Sequence, residues 1–472
     1  MKILLIAAPG IETIKSDLIH LIHEERGANP PIGLLYIATS IRENSEHNVK
    51  ILDATIGTIS VKKIGEAIKE FAPEVIGMTL STFSLLECIS IARLAKEIDP
   101  KVKVIVGGIH VYIYPQETIN LGCFDYGVLG EGEHIIIKLL DRIEKGESPS
   151  GIKGIIYKED GEVVYTGPPD LIDDLDSVPL PDRTLLPYKK YNSLIAKANP
   201  VSIMITSRGC PFKCTFCDRP HLGKKFRVRS ADNVADEFEQ CYRLGIKEIL
   251  VYDDTFSINR QRVIDICNKL IERKIKIYWG IRTRVDTVDG EMLRLLKEAG
   301  CVRVNYGVES GDAEVLKGLN KGITLEQAEE AFYLTKKYGM DALAYFMIGC
   351  PGETEETVRE TLEFAKKLKP TYVHFTILMP FPSTTVYYDA LANKIIKKDV
   401  WKEFAKSPVS DFEIPVYEEN LTRGELVKLL NDCNRKFYFR PSFIVRELFK
   451  KRTPAQFYRE ARAALKVLLE RS

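Results

Sequence analysis

From its second residue the chain alternates short apolar runs with longer stretches whose apolar positions recur every three or four residues. The runs predict strands at Lys2–Ala7, Val49–Leu52, Val75–Leu80, Val102–Val106 and Tyr126–Leu129. Between them, segments such as Ser84–Ile98 and His134–Lys145 carry the helical period. Strand and helix in alternation force parallel strands joined by helical crossovers. Residues 1–148 therefore read as an α/β domain with a flavodoxin-like sheet. Ligands of such sheets sit at the carboxyl ends of the strands. Here those ends are Pro9-Gly10, Ser81-Thr82, Gly107-Gly108 with His110 just beyond, and Gly130-Glu131-Gly132-Glu133. Glycines at these places let the backbone approach a large ligand closely.

The pattern changes over 149–199. Gly151–Tyr157 and Val163–Tyr165 read as a hairpin around Glu159-Asp160-Gly161, followed by a linker rich in proline: Pro168, Pro169, Pro179, Pro181 and Pro187. Alternation then resumes, with strands expected at Ser202–Thr206, Ile249–Tyr252, Ile275–Trp279, Arg303–Gly307, Leu343–Ile348 and Tyr372–Ile377. Six such units predict a partial (β/α)6 barrel over 200–390, with its site at the C-terminal strand ends. A mostly helical region over 391–472 completes the chain.

Composition narrows the function classes. With 67 Lys and Arg against 66 Asp and Glu among 472 residues, the net charge of +1 gives no pull toward nucleic acid. The apolar run at the N-terminus is stopped by Pro9-Gly10, so neither a signal peptide nor a spanning helix is expected. Ten cysteines spread along a chain of this length are too sparse for a secreted disulfide scaffold and point to a reducing cytoplasm.

Three of those cysteines cluster directly after the first barrel strand, as Cys210-x3-Cys214-x2-Cys217. Zinc in a closed structural site takes four protein ligands, and His221 follows at an untypical spacing. An iron–sulfur cluster held by three thiolates leaves one iron open to a substrate or cofactor. Zinc and buried free thiols remain as the alternatives. The other seven cysteines read as small buried side chains.

The triplet, with aromatic Phe216 before its last cysteine, resembles the radical S-adenosylmethionine superfamily. That resemblance implies a [4Fe–4S] cluster on Cys210, Cys214 and Cys217, with S-adenosylmethionine bound at its open iron. It implies that Asp253 and Asp254 hold the methionine amino group, although an Asp ahead of a helix also serves as an N-cap. It implies a carboxylate partner in the Arg282-Thr283-Arg284 segment, a ribose contact at Glu309-Ser310 and an adenine contact at Gly349. Glu353 is open to a second role, capping the next helix.

Pro30-Pro31-Ile32-Gly33, Asp53-Ala54, Gly107-Gly108 and Gly130-Glu131-Gly132-Glu133, in that order ahead of the triplet, resemble the cobalamin-binding domain fused to one large radical S-adenosylmethionine subfamily. The D-x-H-x-x-G signature for a lower histidine ligand is absent over residues 1–148, so cobalamin is expected to bind without one. His110 is open to two readings, a ligand or a polar loop contact.

The resemblance implies reductive cleavage to a 5′-deoxyadenosyl radical and methylation of an unactivated carbon. A cyclase or rearrangement enzyme of the same fold, without methyl transfer, is the alternative, and a cofactor sensor is the non-enzymatic one. No acid–base catalyst is singled out. Implied partners are a small-molecule or lipid-like substrate and an external one-electron donor such as flavodoxin or ferredoxin. The tail from Arg435 to Arg452 interleaves aromatic and basic residues. It is read either as a peripheral membrane contact or as a helical lid packed on the barrel.

Overall fold

The computed structural model describes residues 1–10, 14, 27–57, 59–218 and 225–448. His20, His23 and His221 lie outside them.

In the N-terminal domain β1 (Lys2–Ala7) is buried from Ile3 to Ala7 and pairs in parallel with both β2 (Asn48–Asp53) and β3 (Val75–Thr79). Next come β4 (Lys103–Gly107) and β5 (Tyr126–Val128), also parallel, giving the order β2-β1-β3-β4-β5. That is the flavodoxin-like order expected from the pattern. The hairpin β6 (Ile155–Glu159) and β7 (Glu162–Tyr165) is not part of the linker. It adds two antiparallel strands beyond β5, making the sheet seven-stranded. The reason is edge protection: β5 would otherwise leave its ladder unpaired, and Ile155, Ile156 and Tyr157 bury themselves by covering it.

The second sheet begins with β8 (Val201–Met204). A two-residue ribbon follows, β9 (Ser207–Arg208) paired antiparallel with β10 (Arg227–Val228), so the cysteine segment is a loop tied at its base. Then β11 (Glu248–Val251), β12 (Tyr278–Arg284), β13 (Cys301–Glu309), β14 (Asp341–Ile348) and β15 (Tyr372–Ile377) complete a six-stranded parallel sheet in chain order. The third barrel strand departs from expectation. It starts at Tyr278 rather than Ile275 and runs through Arg282-Thr283-Arg284. Its polar end faces the site instead of the core, so a search for apolar runs misses it.

In the C-terminal region the helix Arg423–Tyr438 lies against β15. Phe437 is fully buried there, and the Tyr438 hydroxyl donates to the Val373 carbonyl at 2.6 Å. Arg440 stacks on Phe437 at 3.8 Å. This part of the aromatic tail is thus a packed lid. Among the described residues, no helix is long and apolar enough to cross a membrane.

Two buried carboxylates fix the domains. Glu237 takes Arg183 from the linker and Arg229 from the segment after β10. Glu131 accepts from Arg208 at 2.9 Å, from Arg227 at 2.6 Å and from the Ile172 amide at 2.7 Å. Arg208 reaches Glu133 as well. Burial alone would raise the Glu131 carboxyl, but the two guanidiniums and the amide outweigh it and hold its pKa below the usual value. Because Glu131→Ala removes the carboxylate that two buried arginines share, it is expected to destabilise the fold by about 3–5 kcal/mol in denaturant titration. An unchanged midpoint would show that the ion pairs carry no net stability.

Candidate active site at the facing strand ends

The cysteine loop is fastened from both sides. Thr215 donates its amide to the Leu319 carbonyl, and its own carbonyl accepts from Val386. Cys210 and Cys214 are half-buried, Cys217 is exposed, and none of the three is in a disulfide. Cys210 Sγ lies 3.8 Å from Thr255 Oγ1, and Cys214 Sγ lies 3.9 Å from Arg284 Nη1. Among the described residues, no three His, Cys, Asp or Glu side chains converge tightly enough to hold one metal ion. A cubane bonds each thiolate through a different iron and spaces them more widely than a single ion does, so the loop fits a cluster better than zinc.

Around the loop the structure sorts the expected contacts. Asp253 is buried and its carboxylate is engaged: Thr206 donates its amide at 2.6 Å and its hydroxyl at 2.5 Å, and Ser207 its hydroxyl at 2.7 Å. It ties the segment after β8 to the end of β11 under the cysteine loop. Asp254 beside it is exposed, and partial desolvation and then Asp253 push its pKa up while Arg282 pulls it down. Arg282 stacks on Tyr252 at 3.7 Å and keeps its buried Nε without a hydrogen-bond partner. Phe216 packs on the interdomain core, with Lys321 Nζ 5.8 Å from its ring.

Glu309 ends β13 at a register shift opposite β14 and holds a left-handed φ of 77°. Strain of this kind concentrates at functional sites. Its Oε1 accepts from Lys321 Nζ at 2.7 Å. A Cβ at Gly307 would crowd that pair, so a larger residue there would have to displace the Glu309 and Lys321 side chains. Ser310 is a correction: fully buried, it bonds Thr361 Oγ1 at 3.1 Å and accepts from the Asp312 amide. It therefore points into the helix layer rather than toward a ribose. Gly349 has φ of 76°, and a Cβ there would press on Leu426. The Gly349 and Cys350 amides both serve Glu353, so the carboxyl latches its own turn while Thr354 caps the helix.

On the N-terminal domain the loops after β1, β3 and β4 come together. Thr82 Oγ1 lies 2.9 Å from His110 Nδ1, and the His110 amide donates to the Leu80 carbonyl. His110 is fully enclosed and burial lowers its pKa to about 4, so it serves the loop as a neutral ring and presents no outward ligand. Its Nε2 has no partner. Ser81 caps the turn after β3 with Ser84, and Pro9 is buried. Gly107 ends β4, and Gly108 at φ of 103° admits no Cβ because Leu80 O would lie 2.9 Å away. Gly10 is exposed, its amide donates to Glu87, and among the described residues a Cβ there would meet nothing within 4 Å. The Gly130-Glu131-Gly132 turn is closed off. Pro169 lies 2.8 Å from a Cβ at Gly130, Ile37 lies 3.0 Å from one at Gly132, and Glu131 is spent on the two arginines. It joins the domains instead of contacting a cofactor.

The two edges meet. Phe83 after β3 packs edge-on against Phe381 after β15 at 5.9 Å, with Trp401 at 6.3 Å from Phe83. A sheet edge with glycine approaches thus faces a three-cysteine loop at the mouth of a parallel barrel sheet. This is the layout of a two-cofactor radical enzyme. Residues 21–140 match the B12 binding domain family and residues 204–365 the Radical SAM superfamily. A Pyrococcus horikoshii protein named as an uncharacterized methyltransferase is 37% identical over 95% of both chains. The anaerobic magnesium-protoporphyrin IX monomethyl ester cyclase of Rubrivivax gelatinosus is 29% identical over 89% of this chain and 76% of its own. Among solved structures, the radical S-adenosylmethionine methyltransferase TsrM from Kitasatospora setae superposes with a TM-score of 0.70 at 22% identity. The match covers 84% of this chain and 78% of that one, and TsrM holds cobalamin and a [4Fe–4S] cluster. The chain belongs to the cobalamin-dependent radical S-adenosylmethionine enzymes, whose cofactors are a [4Fe–4S] cluster, S-adenosylmethionine and cobalamin.

Several residues that shape the site carry no sequence signal of their own. Lys321, Thr255 and Phe212 reach it only through the fold, whereas Arg208 and Arg227 flank the cysteine loop and were findable as its base. Glu353 gives a pH test. Burial raises its pKa from 4.5 to about 7. The folded state therefore keeps a proton that the unfolded state releases, and stability contributed by this group is full below pH 4.5 and lost as pH rises toward 7. Glu353→Gln is expected to remove that downward slope from the unfolding free energy measured across this window. A slope identical to the parent's would show that Glu353 does not titrate there.

Proposed function

We propose that this protein transfers a methyl group to an unactivated carbon of a small or lipid-like substrate. The observation that carries this reading is the 37% identity, over nearly the whole of both chains, to a protein named as a methyltransferase. When bound at Cys210, Cys214 and Cys217, a cluster would supply the electron for reductive cleavage of S-adenosylmethionine, and cobalamin would supply a methyl carrier.

The chain's own residues bind, orient and exclude. Cys210, Cys214 and Cys217 hold the cluster. Asp254, exposed beside Arg282, takes the ammonium of S-adenosylmethionine, and Arg282, through its unpartnered Nε, takes the carboxylate. Glu309, set by the register shift, takes ribose hydroxyls, and the Gly349 turn borders the adenine. Gly10, Ser81, Thr82, Gly107 and Gly108 line the cobalamin face. The Phe83, Phe381 and Trp401 packing closes the seam between the two faces against water. Radical S-adenosylmethionine enzymes need a reductant, and a flavodoxin or ferredoxin fits that need.

A second reading, ring closure without methyl transfer, is favoured by the 29% identity to the cyclase. Anaerobic reconstitution with iron, sulfide and hydroxocobalamin, then desalting and metal analysis, tests the cofactors both readings share, and isotope labelling separates the two. Iron at cluster stoichiometry with equimolar cobalt is expected, and Cys210→Ala, Cys214→Ala or Cys217→Ala should each abolish the cluster absorbance and 5′-deoxyadenosine formation. With methyl-deuterated S-adenosylmethionine, label retained in the product supports methylation. A product lighter by two hydrogens and free of label would support the cyclase.

A further inference from the structure

Arg284 stands apart from the groups assigned above. It ends β12, is 5% exposed, and every part of its guanidinium is held. Nε and Nη2 donate to the two Asp286 oxygens at 2.8 Å each, and Nη2 donates also to the Lys321 carbonyl at 2.7 Å. Its plane lies over the Phe212 ring at 3.8 Å. These contacts leave Nη1, and Nη1 faces Cys214 Sγ at 3.9 Å. The guanidinium is therefore immobilised with its remaining N–H groups aimed at a ligand sulfur.

The other polar neighbour of the triplet behaves differently. Thr255 Oγ1, 3.8 Å from Cys210 Sγ, already spends its hydrogen on the Asp254 carbonyl at 2.8 Å. It offers Cys210 an acceptor, whereas Arg284 offers Cys214 a charged donor. Hydrogen bonds to cluster sulfurs and nearby positive charge both favour the reduced, more negative cluster and raise its potential.

We infer that Arg284 is a positioning residue that sets the reduction potential of the cluster through an N–H···S bond to Cys214. The role rests on the assignment of the cluster to the three cysteines. It assigns Arg284 to the cluster itself and leaves the methionine carboxylate to Arg282. Phe212 and Asp286 act through it, holding the fork so that the donor does not swing to solvent.

The test is an EPR-monitored redox titration of the reconstituted full-length protein, without S-adenosylmethionine, for wild type, Arg284→Gln and Arg284→Lys. Removing charge and donor in Arg284→Gln is expected to lower the ratio of reduced to oxidised cluster at a fixed poise at least tenfold, about 59 mV for a one-electron couple. Arg284→Lys should fall between it and wild type, since it keeps the charge and loses the fork. If Arg284→Gln takes up no iron, Arg284→Lys carries the test, and a smaller shift of the same sign supports the role. A wild-type cluster with unshifted variants overturns the inference alone. Failure of the wild type to assemble a cluster overturns the cysteine assignment and the inference with it.

Discussion

Two arginines facing each other across an antiparallel ribbon repel unless a carboxylate is placed against them. Arg208 and Arg227 are such a pair, in register on β9 and β10 at the base of the cysteine loop. The relief comes from the other domain, where Glu131 places one oxygen on each guanidinium. Glu131 of the N-terminal domain therefore bridges both strands at the base of the loop, with Glu133 also on Arg208. One ion triad thus sets the loop that holds the cysteines and the orientation of the opposing sheet edge.

The rest of the site follows from this seating. With Glu131 and its flanking glycines closed off by Pro169 and Ile37, the remaining part of the N-terminal edge lies at the ends of β1, β3 and β4. That part meets the barrel at Phe83 and Phe381. On the barrel side, Asp253 pins the start of the loop, the Glu309 register shift turns a carboxylate toward Lys321, and Arg284 is fixed beside Cys214. Buried polar groups of this kind are costly unless fully partnered. Most of these groups are partnered, while Arg282 Nε and His110 Nε2 are among the buried polar atoms without a partner.

Much of the fold was legible in the sequence because buried parallel strands leave continuous apolar runs. β1 was bounded to the residue, and the strand orders followed from the alternation. The third barrel strand was misplaced because its site-facing half is Arg282-Thr283-Arg284, polar where the core rule expects apolar. The hairpin at 155–165 was seen, but its partner was not, since edge pairing depends on which strand is left uncovered. In the site, the cysteine triplet was readable from spacing alone. Asp253, Ser310 and Glu131 were not, because a carboxylate or hydroxyl after a strand looks the same whether it faces a ligand or a neighbouring loop. Their partners Thr206, Thr361 and Arg227 lie tens of residues away in the chain.

The seating triad is tested most directly by amide hydrogen exchange on Glu131→Gln beside wild type. If Glu131 joins the two domains into one unit, peptides spanning residues 201–218 and peptides spanning residues 126–133 will exchange faster together, while those of β13 and β14 keep their protection. Faster exchange on one side alone, or on neither, would contradict a shared constraint and leave the two domains to fold and orient independently.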